Sequence, residues 1–276
     1  MPLLTFFFPS GIIYLSKIGW EKTMSIKNVE HQAEDGFAVA QRRALLDMER
    51  EGGIGTLSEK LMHKTLKLYI EPREHLHEVD FLGSVADVKN ECGIFEIQTK
   101  NFAYLIPKLR KFLPECHVTV VYPVVGQKNI FWVDKQSGGI SDAHKTTRAG
   151  RVSDVLYEVS ALTEFIPDDR LTVRVILLTA EEYKSLDGWD KSRKRGASRI
   201  ERIPTAIEKI VDLNTISDYI SILPPIGEKF TAKELYKALR LKGRRASYSL
   251  NFLMRIGAVK RVGKVGKAYI YEMEKE

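Results

Sequence analysis

The chain has 276 residues, 44% hydrophobic and 29% charged, with a net charge of +7 and a pI near 9.2. That is the composition of an ordinary soluble globular protein, long enough for one large domain or two smaller ones, and its basic balance favours an anionic partner without identifying it. Two cysteines, Cys92 and Cys116, form no CxxC pair, and His75 and His77 have no third soft ligand near them in sequence. Neither a disulfide framework nor a zinc site is therefore expected, and a reducing cytoplasm fits.

The chain opens on MPLLTFFFPSGIIYLSKIGW, an apolar block interrupted by Pro9 and Gly11, with no positive n-region and no small-residue cleavage site. It is too short and broken for a membrane span. Met24 begins a stretch typical of the start of a soluble protein, so residues 1–23 are expected to be an upstream extension from start-site choice. A membrane-surface or signal segment is the alternative.

From residue 56 the pattern becomes readable. TLSEKLMHKTLKLYIEP predicts a helix, with Thr56 or Ser58 as cap, Leu57, Leu61 and Leu68 at helical spacing, and Pro72 as its stop. HEVDFLG, SVADVKN and GIFEIQT follow as three strands separated by Gly or polar turns. FAYLIPKLRKFLPE predicts a helix in which Pro107 sits in the first turn or makes a kink. HVTVVYPVV is a strand buried on both faces, NIFWVD a further strand, SDVLYEVSALTEFI a helix, and LTVRVILLTAEEY a last buried strand. The order is α/β, a mixed sheet flanked by helices, over residues 24–212.

Residues 213–276 differ. TISDYISILP, TAKELYKALRL and GRRASYSLNFLMRIG are three short helical patterns, followed by two strands around a Gly-Lys turn. Thr231 and Glu234 form a capping box. Three helices and a β-hairpin predict a small winged helix-turn-helix domain. No acidic residue occurs from Leu235 to Tyr271, whereas Arg244, Arg245, Arg255, Lys264 and Lys267 are among the cations there. A one-signed block on a recognition helix and wing is an electrostatic footprint for phosphates, with Tyr248 placed to approach base edges. A protein–protein module with a solvated basic face is the alternative. Lys145, Arg148 and Arg151 in one polar loop, and Arg193, Lys194, Arg195, Arg199 and Arg202 in a second basic run, would hold a DNA backbone.

The chemistry centres on VADVKNECGIFEIQTK. A hairpin centred between Glu91 and Cys92 makes Asp87 and Glu96 a directly opposed pair on one face, with Cβ atoms about 5 Å apart. Carboxylates that close repel, and a hard divalent cation relieves the conflict by taking both as oxygen ligands. Gln98 and Lys100 continue the same face. The bland alternative is an exposed strand on which Glu96 pairs with Lys100.

Helix–β–β–β–helix–β, with Asp87, eight residues, then Glu96-Ile97-Gln98, resembles the PD-(D/E)XK (restriction endonuclease-like) nuclease superfamily over residues 50–135, in its Asp-x8-Glu-x-Gln variant. The EIQT run also resembles uncharacterised bacterial proteins with such a core. The resemblance implies a restriction endonuclease-like sheet and hydrolysis of double-stranded DNA with Mg²⁺ (or Mn²⁺) held by Asp87 and Glu96. Gln98 occupies the usual lysine position, and Glu59 would supply the carboxylate of the preceding helix. Glu59 shares a stripe with Met62, Leu66 and Tyr69, although a capping acid there reads equally well. Lys100 stands where it could replace the missing charge or be solvated. Restriction-type cutting implies a homodimer. Two rivals stay open: a non-catalytic DNA-binding regulator that kept the nuclease fold, and a protein–protein adaptor. No P-loop, GxGxxG or GxSxG motif supports another enzyme class.

Overall fold

In the computed structural model, which describes residues 5–8, 11–14, 36–50, 58–134, 139–146, 149–185 and 198–274, the elements follow in this order. Strands β1 (Thr5–Phe8) and β2 (Gly11–Tyr14) form an antiparallel hairpin. Helix α1 (Gly36–Arg50) buries Phe37, Ala40, Ala44 and Met48, a spacing that puts all four on one helical face. Helix α2 (Ser58–Ile70) buries Leu61, Met62 and Leu66 and stops short of Pro72. Next come β3 (His77–Phe81), β4 (Ser84–Asn90) and β5 (Gly93–Ile97). A 3₁₀ turn at Phe102–Leu105 runs into α3 (Ile106–Phe112), where Pro107 lies in the first turn and no amide is needed. Strands β6 (Val118–Val133) and β7 (His144–Lys145) precede α4 (Val155–Val159), which has a 3₁₀ turn at each end. Two long strands follow, β8 (Leu171–Ser185) and β9 (Ser198–Leu213). The chain continues with α5 (Ile216–Ser221), β10 (Lys229–Thr231), α6 (Ala232–Ala238), α7 (Gly243–Arg255), β11 (Val259–Val265) and β12 (Ala268–Met273).

The main sheet has the order β3-β4-β5-β6-β8-β9, with β7 on β6. The β3/β4 and β4/β5 pairs are antiparallel and β5/β6 is parallel, so the fold is mixed α/β with helices flanking a mixed sheet. A second, antiparallel sheet has the order β10-β12-β11.

The described residues fall into two compact units. One draws on 1–74, 125–149 and 178–208, the other on 75–124, 150–177 and 209–276. In the first, α1 and α2 bury Ala44, Leu45, Met48, Leu61 and Leu68 with Val133, Tyr183 and Ile203. In the second, α3 and α4 supply Leu109, Phe112, Leu156 and Val159 to a core with Ile94, Val118, Val120 and Val173; Phe230, Leu250 and Phe252 belong to the same cluster.

Three expectations change. HVTVVYPVV and NIFWVD, expected as two strands, are one that runs through the polar GQK between them, where β7 pairs at Asn129 and Ile130 and Lys128 reaches Glu182. The helix expected over 153–166 is α4 and its 3₁₀ flanks, only five residues being α-helical. Helix α1 and strand β9 were not anticipated. The capping box at Thr231 is present, Thr231 Oγ1 accepting from the Glu234 amide while Glu234 takes the Thr231 amide.

Candidate active site around Glu96

The β4–β5 hairpin has the expected register, with Val88 opposite Phe95, Lys89 opposite Ile94 and Asn90 opposite Gly93. Continued by one pair, it puts Asp87 beside Glu96. Gly93 fixes the geometry: its φ is +121°, and a Cβ there would stand 2.3 Å from the His117 carbonyl oxygen. Only glycine lets β5 start this close to β6, where the Ile94 amide donates to that same oxygen at 2.9 Å. Flanked by β4 and β6, β5 buries Ile94, Phe95 and Ile97, and with them Glu96, which is 2% exposed.

Two contacts organise the carboxylates. Asp87 Oδ2 accepts the Ile97 amide at 2.8 Å, which holds that carboxylate at the strand seam. Glu96 Oε2 accepts from Lys108 Nζ at 2.7 Å. Glu96 Oε1 is buried and has no hydrogen-bond partner. Burial, and after it the Asp87 charge, push the Glu96 carboxyl from its ordinary 4.5 up to about 7, against the hydrogen bond and charge of Lys108 and a backbone hydrogen bond from Asp87. A carboxylate left one donor short in the interior is costly as an anion and is a place for a cation.

Lys108 was missed by the sequence reading. It stands on α3 beside Leu105, Leu109 and Phe112, all buried. A lysine bordering an apolar stripe sends its stem along the core and its ammonium inward only if an acid waits there. The signal was the pair Lys108 and Glu96 together, and neither residue alone.

Gln98 lies past the end of β5. Its Nε2 donates to the Lys100 carbonyl at 2.6 Å, so the carboxamide is engaged with its own turn. Lys100 is exposed. That turn passes through Asn101, at φ 55°, whose amide donates to Glu158 of α4 at 2.7 Å. Glu59 is on α2, but its side chain is outside the described residues, as are Arg148, Arg193, Lys194, Arg195 and the Arg199 side chain. Among the described residues no group of three or more His, Cys, Asp or Glu gathers around a point where a metal could sit; Asp87 and Glu96 are two.

The basic positions separate into engaged and exposed. Arg151 Nη1 donates to the Ala238 carbonyl at the end of α6, at 3.0 Å. Arg245 lies over the Tyr157 ring at 5.0 Å, and Tyr248 meets the same ring edge-on at 6.3 Å. Arg244, Arg255, Lys264 and Lys267 are exposed, as is Lys145 on β7. Arg202, expected among the cations that would hold a DNA backbone, donates instead to buried Glu182 from β9.

Residues 60–214 match a family described as Domain of unknown function (DUF8091), more than half of the chain and inclusive of Asp87, Glu96 and Lys108. A protein of Treponema pallidum (strain Nichols), described as an uncharacterized protein, is 27% identical over 229 residues, covering 80% of this chain and 88% of its own length. No solved structure matches. No described helix is long and apolar enough to cross a membrane.

Proposed function

We propose, for a chain that belongs to the family Domain of unknown function (DUF8091), that it is a divalent-metal-dependent DNA endonuclease. In this reading the mixed sheet is a restriction endonuclease-like core, and α5, α6, α7 and the β11–β12 hairpin are a winged helix that grips the duplex. The observation that carries it is Glu96: a buried carboxylate with one oxygen on Lys108, the other without a donor, and Asp87 alongside. A buried acid beside a half-buried one at a strand seam is costly in a purely structural sheet, and a Mg²⁺ or Mn²⁺ ion fits the unsatisfied oxygen.

Asp87 and Glu96 would hold the ion. When bound, it lowers the pKa of a coordinated water and polarises the scissile phosphoryl group. Lys108 keeps Glu96 oriented and places a positive charge at the site, which Gln98 cannot supply. The protein would act on double-stranded DNA in the cytoplasm, as a homodimer if both strands are cut together.

The engagement of Gln98 with the Lys100 carbonyl favours a second reading, a DNA-binding regulator without hydrolysis. Nicking of supercoiled plasmid with Mg²⁺ or Mn²⁺ separates the two. The parent nicks, and Asp87→Ala, Glu96→Ala and Lys108→Met each lose about 100-fold or more, the size of removing one charge-stabilising group. Duplex binding without cleavage of any DNA form selects the regulator. Absent or salt-insensitive DNA binding selects a protein–protein adaptor.

A further inference from the structure

The β11–β12 hairpin carries a feature its sequence hides. Arg261 and Lys264 are three residues apart, which in a regular strand puts them on opposite faces. The pairing shifts between Arg261, opposite Tyr271, and Gly263, opposite Ile270. This bulge inserts one extra residue, Val262, and turns the two cations onto one face. There they share one ring: the Arg261 guanidinium is 3.8 Å and the Lys264 ammonium 4.6 Å from the centre of Tyr269. Every residue from Lys260 to Tyr269 is exposed. The nearby Glu274 carboxylate is taken by Lys260, at 3.0 Å, so it is Lys260 that the acid neutralises.

Helix α7 lies in the same unit. In its first turns Arg245 and Tyr248, both exposed, meet the ring of Tyr157 on α4, so one cation shares that ring with a second aromatic side chain, whereas the hairpin ring holds two cations. Arg151, leading into α4, holds the end of α6.

We propose that the hairpin, and not α7, is the principal DNA-binding element, with Arg261 and Lys264 contacting neighbouring phosphates of a duplex and Tyr269 acting as the positioning residue that holds both. The ring fixes two long, rotamer-rich side chains in advance, so less freedom is lost when phosphates arrive. Contact through the backbone alone makes the binding strongly salt-dependent and weakly sequence-selective. The inference rests on the DNA-binding half of the proposed function and is independent of cleavage.

The test is fluorescence anisotropy of the full chain with a labelled duplex in EDTA, across a salt series. Arg261→Ala/Lys264→Ala weakens binding about tenfold or more and flattens the slope of log K against log salt by about 2, as expected for two phosphate contacts. Tyr269→Leu weakens binding several-fold with the parent's slope, because both charges remain, and Tyr269→Phe restores it. Arg244→Ala/Arg245→Ala has the smaller effect. An α7 double variant that loses as much as the hairpin double variant overturns the proposal, as does a Tyr269→Leu protein that binds like the parent. If the parent binds no duplex even at low salt, the DNA-binding reading falls and this inference with it; a binding parent with an indifferent hairpin sinks the inference alone. Charge reversal, Lys264→Glu, guards against a misfolded hairpin: with an unchanged unfolding midpoint it must still lose affinity.

Discussion

Two buried glutamates, one in each unit, each take a lysine ammonium at under 3 Å, and they end at opposite extremes. Glu182, 3% exposed, accepts from Lys128 at 2.9 Å and from Arg202 Nε at 3.0 Å, with Lys184 3.2 Å from its other oxygen. Burial pushes its carboxyl up, but the hydrogen bonds and charges of Lys128 and Arg202 outweigh burial and hold it at about 2. Glu96, 2% exposed, has one cation, one unpaired oxygen and a neighbouring carboxylate, and stands at about 7. Solvent exposure is alike, with Glu96 the more densely enclosed, and the number of donors and the sign of the neighbours add to that difference. A completed set of partners makes a structural ion cluster; the incomplete one beside a second acid is the feature on which the proposed metal site rests.

The largest effect should come from emptying the complete cluster. Glu182→Gln leaves Lys128, Lys184 and Arg202 around a neutral amide, and should destabilise the fold by about 3–5 kcal/mol in urea denaturation at pH 7.5. Glu96→Gln at the same pH removes an unfavourable anion and should leave stability unchanged or raised. Equal losses from both substitutions would erase the distinction.

Part of this contrast was legible in the sequence. The β4–β5 register followed from KNECGI, because a two-residue turn and period-two alternation leave one pairing that buries Phe95 and Ile97. Asp87 and Glu96 therefore came together on paper as they do in the structure. The Lys108 partner did not, because which face of α3 meets β5 depends on helix–sheet packing that no local spacing encodes. Nor did the Glu182 cluster: Lys128 lay between two expected strands, and Arg202 in a basic run whose continuation, RIPTAIEKIVDL, mixes charges into a strand. Long strands shared by two units bury polar residues where a partner is opposite, and local polarity then misreads them as loop.

The two acids should also reveal themselves in separate pH windows. Glu96 has a folded pKa above its unfolded one, so its contribution is full below about 4.5 and lost as pH rises through about 7. Glu182 has a folded pKa below its unfolded one, so its contribution is full above about 4.5 and lost as pH falls through about 2. Each amounts to about 3 kcal/mol, at about 1.4 kcal/mol per pH unit. Denaturation across pH 2–9, at intervals of about one unit, should show Glu96→Gln flattening only the upper window and Glu182→Gln only the lower. A single shared window would mean that the two acids titrate alike.

A divalent ion sharpens the contrast at smaller scale. A ligand at ten times its Kd stabilises by about 1.4 kcal/mol. Mg²⁺ or Mn²⁺ at that level should raise the unfolding midpoint of the parent at pH 8, where Glu96 is ionised at the site. The rise should shrink at pH 5 and vanish in Glu96→Gln and Asp87→Ala, while a Lys184→Met change beside Glu182 leaves it in place. Stabilisation that survives loss of both acids would place the ion elsewhere.

The smallest expected change is the most diagnostic. At pH 5 Glu96 is protonated in the fold, and its ammonium partner, 29% exposed, can turn to water when the carboxyl gives it little. Lys108→Met should then alter stability by less than about 1 kcal/mol, in the range of a partly exposed pair. Its effect should lie in the titration instead. Lys108 contributes a hydrogen bond and a charge that both lower the Glu96 pKa, so without it burial and Asp87 act unopposed by that cation and the upper window moves above pH 7. Lys128→Met, the matching change at Glu182, removes the largest single cause that lowers that carboxyl but leaves Arg202 in place, so the lower window should move up without being lost. If both lysines prove equally silent in titration, the difference between the two sites lies in burial and not in their partners.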